Sequence, residues 1–200
     1  MEKEPGIAFF DFDGTITRSD TFMGFLRYLE GPVRFAWKLT LTIPHILLYL
    51  LRVIPHGQLK TRVCTRFLRG KSLRHLEEAA HCYSREVLPA LVRPPALQKI
   101  RWHQEAGHRV VLVSASADLW LRPFAEEYGL DLIATRLEVR DGLLTGRLQG
   151  PNCKGPEKAN RIRNRFNLDR YRIVYAYGDS SGDREMLRLA QVKGYRPFHR

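Results

Sequence analysis

The sequence predicts an α/β fold, and three features of the 200-residue chain carry that prediction. Short apolar segments recur along it, at residues 7–10, 109–116, 132–135 and 172–179. The first, second and fourth are continuous apolar runs, which are typical of strands covered on both faces. Helical patterns intervene at residues 95–106, 119–128 and 157–166. This alternation indicates a Rossmann-like, mostly parallel sheet with helices on both sides.

A helical insertion follows the first strand, because strand signals stop between about residues 17 and 93. We predict a core formed by residues 1–17 and 94–200 and a helical cap at 18–93. Farther on, apolar and polar side chains alternate along residues 137–148 on both sides of Asp141-Gly142, and this pattern predicts a β-hairpin. A chain of this length buries one core plus a small inserted domain.

The composition is that of a globular protein, with 44% hydrophobic and 27% charged residues. Its three cysteines form no CxxC pair, which favours a reducing compartment. The amino-terminal segment lacks the order of a signal peptide, so we expect a cytoplasmic protein.

Basic residues are concentrated in one part of the chain, whose formal net charge is +12. Residues 27–74 hold ten lysines and arginines against one acid, Glu30. Such a block favours an anionic partner, although a solvated basic surface is the simpler alternative. Specific nucleic-acid binding is not expected, since the aromatic side chains of the block lie in an apolar segment and not on a base-stacking platform.

Two aspartates one residue apart, Asp11 and Asp13, follow the first apolar run, and Gly14 and Thr15 come next. Alternation along a strand points both carboxylates the same way, and two crowded carboxylates resist joint ionisation without a cation between them. Mg²⁺ suits such oxygen ligands. One carboxylate can then attack phosphorus while the other transfers protons, with Thr15 placed to hold a phosphate oxygen.

Further polar residues stand at the ends of later strands and at one helix start. Ser114 ends the second strand, where a hydroxyl beside backbone N–H groups binds phosphate oxygens. Lys154 precedes a helix and supplies the charge that phosphoryl transfer needs; Lys158 is the competitor, and we expect Lys154 to hold the phosphate. Asp179 ends a buried strand and Asp183 follows a loop of small residues, which indicates a metal partner.

These motifs, in this order, resemble those of the haloacid dehalogenase superfamily of phosphohydrolases over the whole chain. The resemblance is strongest to subfamily IB, the branch of phosphoserine phosphatase, in which a small helical cap follows the first motif. Residues 107–150 resemble that branch throughout. The resemblance implies a Mg²⁺-dependent phosphomonoester hydrolase that works through an aspartyl-phosphate.

The roles of individual residues also come from the resemblance. Asp11 is implied as the nucleophile, and Asp13 as the group that protonates the leaving oxygen and then activates water. Asp11, the backbone carbonyl of Asp13 and Asp179 are the implied Mg²⁺ ligands, and Asp183 supports them through a water or by fixing Lys154. The implied phosphate-binding set is Thr15, Ser114, Ala115 and Lys154.

The cap and one loop depart from that pattern. Asp20 matches a cap glutamate that recognises the amino group of serine, and Arg62 matches a cap arginine for its carboxylate, but both matches are weaker than the core motifs. Gly182 stands where phosphoserine phosphatases usually have asparagine, which removes one side-chain contact.

Residues 33–55 of the cap are unusually apolar, and the 13-residue run 39–51 has no charged side chain. A narrow basic stripe beside a broad apolar face predicts a helix lying in an anionic membrane surface, and the run is too short to span a bilayer. A buried hairpin broken at Pro44 and a dimer surface are the alternatives. On one continuous helix the stripe would comprise Arg34, Lys38, Thr42, His45, Tyr49 and Arg52.

This segment also bears on the substrate. Its apolar character resembles that of bacterial phosphatidylglycerophosphatase C, which favours a lipid phosphomonoester such as phosphatidylglycerophosphate and a place on the inner face of the cytoplasmic membrane. A soluble phosphate such as phosphoserine is the alternative, and a non-catalytic binding protein on the same fold is a third. The sequence leaves the oligomeric state open.

Overall fold

The computed structural model describes residues 3–53 and 56–199, and a parallel sheet forms their centre. The strands along the chain are β1 (Ile7–Phe10), β2 (Arg109–Ala117), β3 (Asp131–Thr135), β4 (Leu137–Arg140), β5 (Leu143–Leu148), β6 (Val174–Gly178) and β7 (Val192–Tyr195). Five of them form a sheet in the order β3-β2-β1-β6-β7, and every pairing in it is parallel. The predicted α/β fold is confirmed.

Helices cover both faces of this sheet and form the insertion after β1. Between β1 and β2 lie α1 (Thr21–Glu30), α2 (Pro32–Thr40), α3 (Ile43–Leu50), α4 (His56–Leu68), α5 (Leu73–Glu86), α6 (Leu88–Leu91) and α7 (Pro94–Glu105). The later helices are α8 (Asp118–Glu127), α9 (Pro156–Arg165) and α10 (Arg184–Arg188). The predicted hairpin is the antiparallel pair β4–β5.

Alternation along the central strands divides the interior into two apolar clusters. Phe10 and Leu112 point into the larger cluster, which also contains the buried side chains of the insertion. Phe9 and Val113 point to the other face, against α9 and α10. Burial on both faces explains why β1 and β2 are continuous apolar runs in the sequence.

The chain leaves the sheet and returns to it through two adjacent segments. The Arg18 N–H donates to the Leu91 carbonyl, and the Arg93 N–H donates to the Ile16 carbonyl, each at 2.8 Å. The division into a core and a cap at residues 18–93 remains our proposal, and these paired connections support it.

Residues 33–53 form two short helices whose apolar side chains face outward. The chain breaks at Leu41–Thr42, before Pro44, and the proline lies in the first turn of α3, where its missing N–H costs no hydrogen bond. The single basic stripe predicted from one continuous helix is therefore wrong. A buried hairpin is also wrong, because these large side chains are exposed: Val33, Trp37, Leu41, Ile43, Leu47, Leu48, Leu50, Leu51 and Val53. Residues 54 and 55 of the predicted segment lie outside the described residues.

Strand β7 is the one strand of the sheet that the sequence did not predict. Its four residues, Val-Lys-Gly-Tyr, lie at the edge beside β6 and are mostly exposed, so they lack an apolar run. In the part of the chain that the structure describes, no helix combines the length and the apolarity needed to cross a bilayer.

Candidate active site

The carboxyl ends of β1, β2 and β6 meet the cap at a cavity of about 450 Å³. Parallel pairing sets Phe10 beside Tyr177, so Asp11 and Asp179 leave neighbouring strands at the same edge. Ligands of open parallel sheets bind at this edge. The cavity is lined by the four acids predicted for catalysis and metal binding: Asp11, Asp13, Asp179 and Asp183.

The buried amino group of Lys158 joins two of these carboxylates. Its Nζ donates to Asp11 Oδ1 at 2.5 Å and to Asp183 Oδ1 at 2.6 Å. Burial raises the pKa of Asp11 to about 7, although Lys158 opposes the shift. For Asp183 burial acts in the same direction, but its ion pair with Lys158 and the hydrogen bonds from Ser180 outweigh it and lower the pKa. The pKa of Lys158 is raised by both carboxylates in spite of its burial.

A second feature of this end is a cluster of three acids. Oxygens of Asp11, Asp179 and Asp183 lie within 4.8 Å of one another. Among the described residues no lysine or arginine forms an ion pair with Asp179, and burial followed by the charge of Asp183 raises its pKa. Hard oxygen donors with uncompensated charge suit Mg²⁺. Both oxygens of Asp183 already accept hydrogen bonds, from Lys158 and Ser180, so Asp11 and Asp179 fit such an ion better.

Gly14, in the turn after β1, allows the backbone there to lie close to the carboxylate of Asp179. Its φ is +83°, and a Cβ at this position would lie 2.4 Å from Asp179 Oδ2. A side chain here would therefore be strained and would displace the carboxylate.

Asp13 belongs to a separate hydrogen-bond network, formed by Thr21 of α1 and by Ser114 and Ser116 of β2. Its Oδ1 accepts from the backbone N–H and the hydroxyl of Thr21, each at 2.6 Å. Its Oδ2 accepts from Ser116 Oγ at 2.6 Å and from Ser114 Oγ at 3.4 Å. Burial, and then the charge of Asp20, raises the pKa of Asp13. A carboxyl group whose pKa is raised in this way is suited to donate a proton.

The lysine that contacts Asp11 is Lys158, the competitor, and phosphate binding by Lys154 remains a prediction. Lys154 is exposed at the cavity wall, in the loop before α9, and makes no ion pair with a described residue. Lys158 lies in the first turn of α9 on the face that also buries Ala159 and Ile162, and that face points toward the sheet edge. Asp183 accordingly fixes Lys158 and not Lys154.

Two predicted phosphate ligands lie behind the cavity wall. The Thr15 hydroxyl is within reach of Asp11 Oδ2 at 3.1 Å and Asp179 Oδ1 at 3.4 Å. Ser114 is fully buried, and its Oγ accepts from the Ser116 N–H at 2.9 Å. Ala115 and Ser116 line the cavity instead. Ser116 was missed, although its position two residues after Ser114 on a strand could have indicated it.

In the cap, the structure separates the two residues that the sequence proposed for specificity. Asp20 lines the cavity and caps α1, accepting from the Met23 N–H at 3.0 Å. Arg62 is exposed and does not line it, whereas Lys60 does. Residues two positions apart on a helix are rotated by about 200° about its axis, so Lys60 and Arg62 face opposite sides of α4.

Lys60 is a buried cation that joins the cap to the core. Its Nζ donates to the Ala115 carbonyl and, at 3.2 Å, to Asn152 Oδ1, and it lies 5.0 Å from the centre of the Phe22 ring. Burial lowers its pKa, against the attraction of Asp13 and other acidic groups. This role could not be predicted from the sequence, because Lys60 is one of ten basic residues in its block.

The cap side of the cavity is apolar. Leu39, Ile46, Tyr49 and Leu50 of α2 and α3 contribute to this wall, as do Phe22, Met23, Leu59 and Val63 of α1 and α4. The exposed apolar segment 33–53 therefore reaches from the surface to the site of the acids.

Comparison with known proteins agrees with this geometry. A family model described as haloacid dehalogenase-like hydrolase matches residues 8–188. Protein CicA of Caulobacter vibrioides (strain NA1000 / CB15N) is 40% identical over 200 residues, which cover 99% of this chain and 89% of that protein. A probable phosphatase of Mycobacterium tuberculosis (strain ATCC 25618 / H37Rv) is 29% identical over 191 residues, covering 90% of this chain and 64% of that protein.

Solved structures share the fold. A protein of unknown function from Bordetella pertussis Tohama I has a TM-score of 0.83 at 23% identity and covers 94% of this chain and 88% of its own. A phospho-aspartyl intermediate analogue of phosphoserine phosphatase has a TM-score of 0.66 at 23% identity, covering 96% and 86%. The resemblance inferred from the sequence is confirmed.

Proposed function

We propose, on the premise that this chain belongs to the haloacid dehalogenase-like hydrolases and is a phosphatase, that it hydrolyses its phosphomonoester through an aspartyl-phosphate on Asp11. The observation that carries the proposal is the group of Asp11, Lys158, Asp179 and Asp183 in one cavity, which Asp13 also lines. A nucleophile, a neutralising cation and a proton donor thus share one cavity.

In the first step, a carboxylate oxygen of Asp11 attacks phosphorus and the bond from phosphorus to the leaving oxygen breaks. Asp13 transfers its proton to that oxygen, and its raised pKa favours the protonated form. Lys158 holds Asp11 in place and offsets charge on the phosphoryl oxygens. Ser116 and Lys154 line the cavity where those oxygens would lie.

In the second step, water attacks the phosphorus of the aspartyl-phosphate while Asp13, now ionised, takes the proton from the water. The bond between phosphorus and the Asp11 oxygen breaks, which releases inorganic phosphate and restores both carboxyl groups. Hydrogen bonds from Thr21 and Ser116 keep Asp13 oriented throughout.

Mg²⁺ is the proposed cofactor. We assign it to Asp11 and Asp179, with the Asp13 backbone carbonyl as the family resemblance implies and Asp183 in support. When bound, it supplies positive charge that draws the phosphate toward the nucleophile. The lack of a lysine or arginine ion pair to Asp179 among the described residues and the close approach allowed by Gly14 support this assignment.

A lipid phosphomonoester, such as phosphatidylglycerophosphate, is the substrate class that we favour. The cap wall beside the acids is apolar and runs into the exposed α2–α3 surface, so an acyl or glyceryl moiety has an apolar path away from the phosphate. We further propose that the 33–53 face rests on an anionic membrane, on the cytoplasmic side, with its large side chains in the interfacial layer.

A small soluble phosphate such as phosphoserine is the second candidate. Asp20 and Lys60 line the same cavity with opposite charges, which could accommodate an amino and a carboxylate group. This candidate replaces the sequence-based pairing of Asp20 with Arg62.

Mg²⁺-dependent phosphate release tests the chemistry and the substrate together. Phosphatidylglycerophosphate in mixed micelles, phosphoserine and an aryl phosphate are compared, with Asp11→Asn as the blank. We expect the micellar lipid to be preferred, and we expect Ile46→Asn in the cavity wall to reduce lipid hydrolysis while sparing the aryl phosphate. Preference for phosphoserine would reject the lipid assignment. Equal inertness of wild type and Asp11→Asn on every substrate would favour a non-catalytic binding protein.

A further inference from the structure

Helix α4 separates the active-site cavity from a second, strongly basic region. Leu59, Lys60 and Val63 face the catalytic side. Arg62 and Arg69 face the other side, where two adjoining cavities of about 800 and 600 Å³ share them. The catalytic cavity has no lining residue in common with either. We call this region the arginine cleft; its arginines are Arg62 and Arg66 of α4, Arg69 directly after the end of α4, and Arg140 and Arg147 at the β4–β5 hairpin.

The arginine cleft carries an excess of positive charge. One acid, Glu138, lines it and is paired with Arg140 at 2.9 Å. Arg62, Arg69 and Arg147 form no ion pair within the described residues. Arg62 and Arg66 are four residues apart on one face of α4, and Arg69 lines the same cavity just after the helix ends, so like charges repel there. An anion bound among them would relieve that repulsion.

A buried polar atom in the same place also lacks a partner. His45 Nδ1 has no hydrogen-bond partner among the described residues, and His45 lines the smaller cavity together with Arg62, Arg66 and Arg69. Buried polar atoms are nearly always paired in folded proteins. The smaller cavity is therefore lined by three arginines and by a histidine whose buried Nδ1 has no hydrogen-bond partner among the described residues.

The cleft adjoins the exposed apolar face of α2 and α3. Arg66 Nη2 donates to the Leu41 carbonyl at 3.4 Å, and the Leu41 side chain is itself exposed. Leu47 and Leu51 continue this apolar face, exposed by 53% and 73%. Cationic side chains bordering a large apolar surface match the phosphate and acyl layers of an anionic bilayer.

We propose that the arginine cleft is a second phosphate-binding site, which takes the headgroup phosphate of an anionic phospholipid and docks the α2–α3 face on the bilayer. This inference deepens the membrane contact proposed above and is independent of chemistry at Asp11. A lone soluble phosphate offers the cleft the same oxygens but nothing for the adjacent apolar face, and for that reason we assign the bilayer as the source.

Partition onto phospholipid vesicles tests the proposal with the full chain. The vesicles contain phosphatidylcholine alone or equal parts of phosphatidylcholine and phosphatidylglycerol. Wild type should bind the anionic vesicles and not the neutral ones. Each arginine near such a surface contributes roughly a fivefold factor, so Arg62→Gln with Arg69→Gln should weaken partition by about 30-fold. Hydrolysis of a soluble aryl phosphate should be unchanged.

The matched control removes two positive charges elsewhere. Arg163 of α9 and Arg188 of α10 are exposed and form no ion pair with a described residue, so Arg163→Gln with Arg188→Gln gives the same net charge. We expect this control to lose at most about twofold in partition, since it lies off the cleft. Equal loss in both double variants would overturn the site in favour of diffuse charge attraction.

Two further outcomes have defined meanings. If inorganic phosphate binds the wild type more tightly than it binds the Arg62→Gln, Arg69→Gln variant, but the wild type does not bind anionic vesicles, the bilayer assignment is overturned. Asp11→Asn should partition like wild type, because the cleft and the catalytic cavity are separate. A protein that binds vesicles through the cleft but hydrolyses no phosphomonoester would refute the proposed function while leaving this inference intact.

Discussion

Replacing Lys158 by methionine tests the electrostatics of the site most sharply. Its side chain is 2% exposed, and its amino group contacts Asp11 and Asp183 at 2.5 and 2.6 Å. Removing one partner of a buried ion pair costs about 3–5 kcal/mol, because the remaining charge is left uncompensated. Here two carboxylates lose their cation, so Lys158→Met should lower the free energy of unfolding by at least the lower of these values.

The same change should suppress catalysis. The pKa of Asp11 is already raised to about 7 by burial, against the pull of Lys158. Without Lys158, Asp11 loses the cation that holds its carboxylate in place. Loss of charge stabilisation during phosphoryl transfer is worth a factor of about 10²–10³. We expect kcat to fall by about 10²-fold or more.

Lys154→Met is the matched control, because this lysine is exposed and makes no ion pair with a described residue. It should change stability by no more than about 0.5 kcal/mol and kcat by about tenfold at most. Mg²⁺-dependent aryl phosphate hydrolysis and urea unfolding measure both quantities, and circular dichroism verifies folding. An inactive Lys154→Met beside an active Lys158→Met would refute the assignment.

Three further predictions concern the metal cluster, pH and the cap. Gly14→Ala should weaken Mg²⁺ activation at least tenfold, since its Cβ would lie 2.4 Å from Asp179 Oδ2; Gly142→Ala, with a similar φ and open space, should not. Burial, and then the charges of Lys99 and His108, lowers the pKa of His103 to about 3. Below pH 6.5 this histidine is therefore protonated in the unfolded chain but not in the folded chain, so stability falls as the pH falls. Urea unfolding should show stability falling by about 2 kcal/mol more in wild type than in His103→Phe between pH 6.5 and 4.5. Lys60→Met should raise KM more than it lowers kcat for the preferred substrate, as its bonds join cap and core.

Each of these predictions can fail clearly. Equal effects of Gly14→Ala and Gly142→Ala on the Mg²⁺ dependence would mean that backbone strain alone is responsible. A His103→Phe variant with the wild-type pH slope would assign acid destabilisation to carboxylates. A pure kcat defect in Lys60→Met would remove Lys60 from the substrate side of the cavity.

The central sheet and the acids at its edge were predictable from the sequence. Continuous apolar runs mark β1, β2 and β6, because both faces of these strands are buried. An acid directly after such a run must lie at the strand end, which fixes Asp11 and Asp179 at one edge. Strand β7 could not be found in this way, since it lies at the sheet edge and contains Lys193 and Gly194.

Interactions between distant segments could not be predicted from local sequence patterns. Lys158 is buried and Lys154 is exposed because α9 begins at Pro156, so only Lys158 lies on the buried face of this helix. Lys60 acquires its role from contacts with Ala115 and Asn152 across the cap, which no local pattern encodes. Because Arg62 follows Lys60 by two residues, it lies on the side of α4 that faces away from the active-site cavity.

The break within residues 33–53 had a local cause that the continuous-helix interpretation overlooked. A proline interrupts a helix one turn earlier than its own position, because it clashes with the carbonyl four residues before it. Pro44 therefore lies in the first turn of α3, which begins at Ile43, and α2 ends at Thr40. This places the exposed apolar side chains on two short helices.

Trapping the phosphorylated enzyme tests the central claim, that Asp11 is the nucleophile, most directly. The protein is mixed with a radiolabelled aryl phosphate and Mg²⁺, quenched in acid within a single turnover, and digested for peptide mapping. We predict an acid-stable, hydroxylamine-sensitive label on the peptide that contains Asp11, and its absence from Asp11→Asn. Hydrolysis without any protein-bound label, or a label at another residue, would contradict the account.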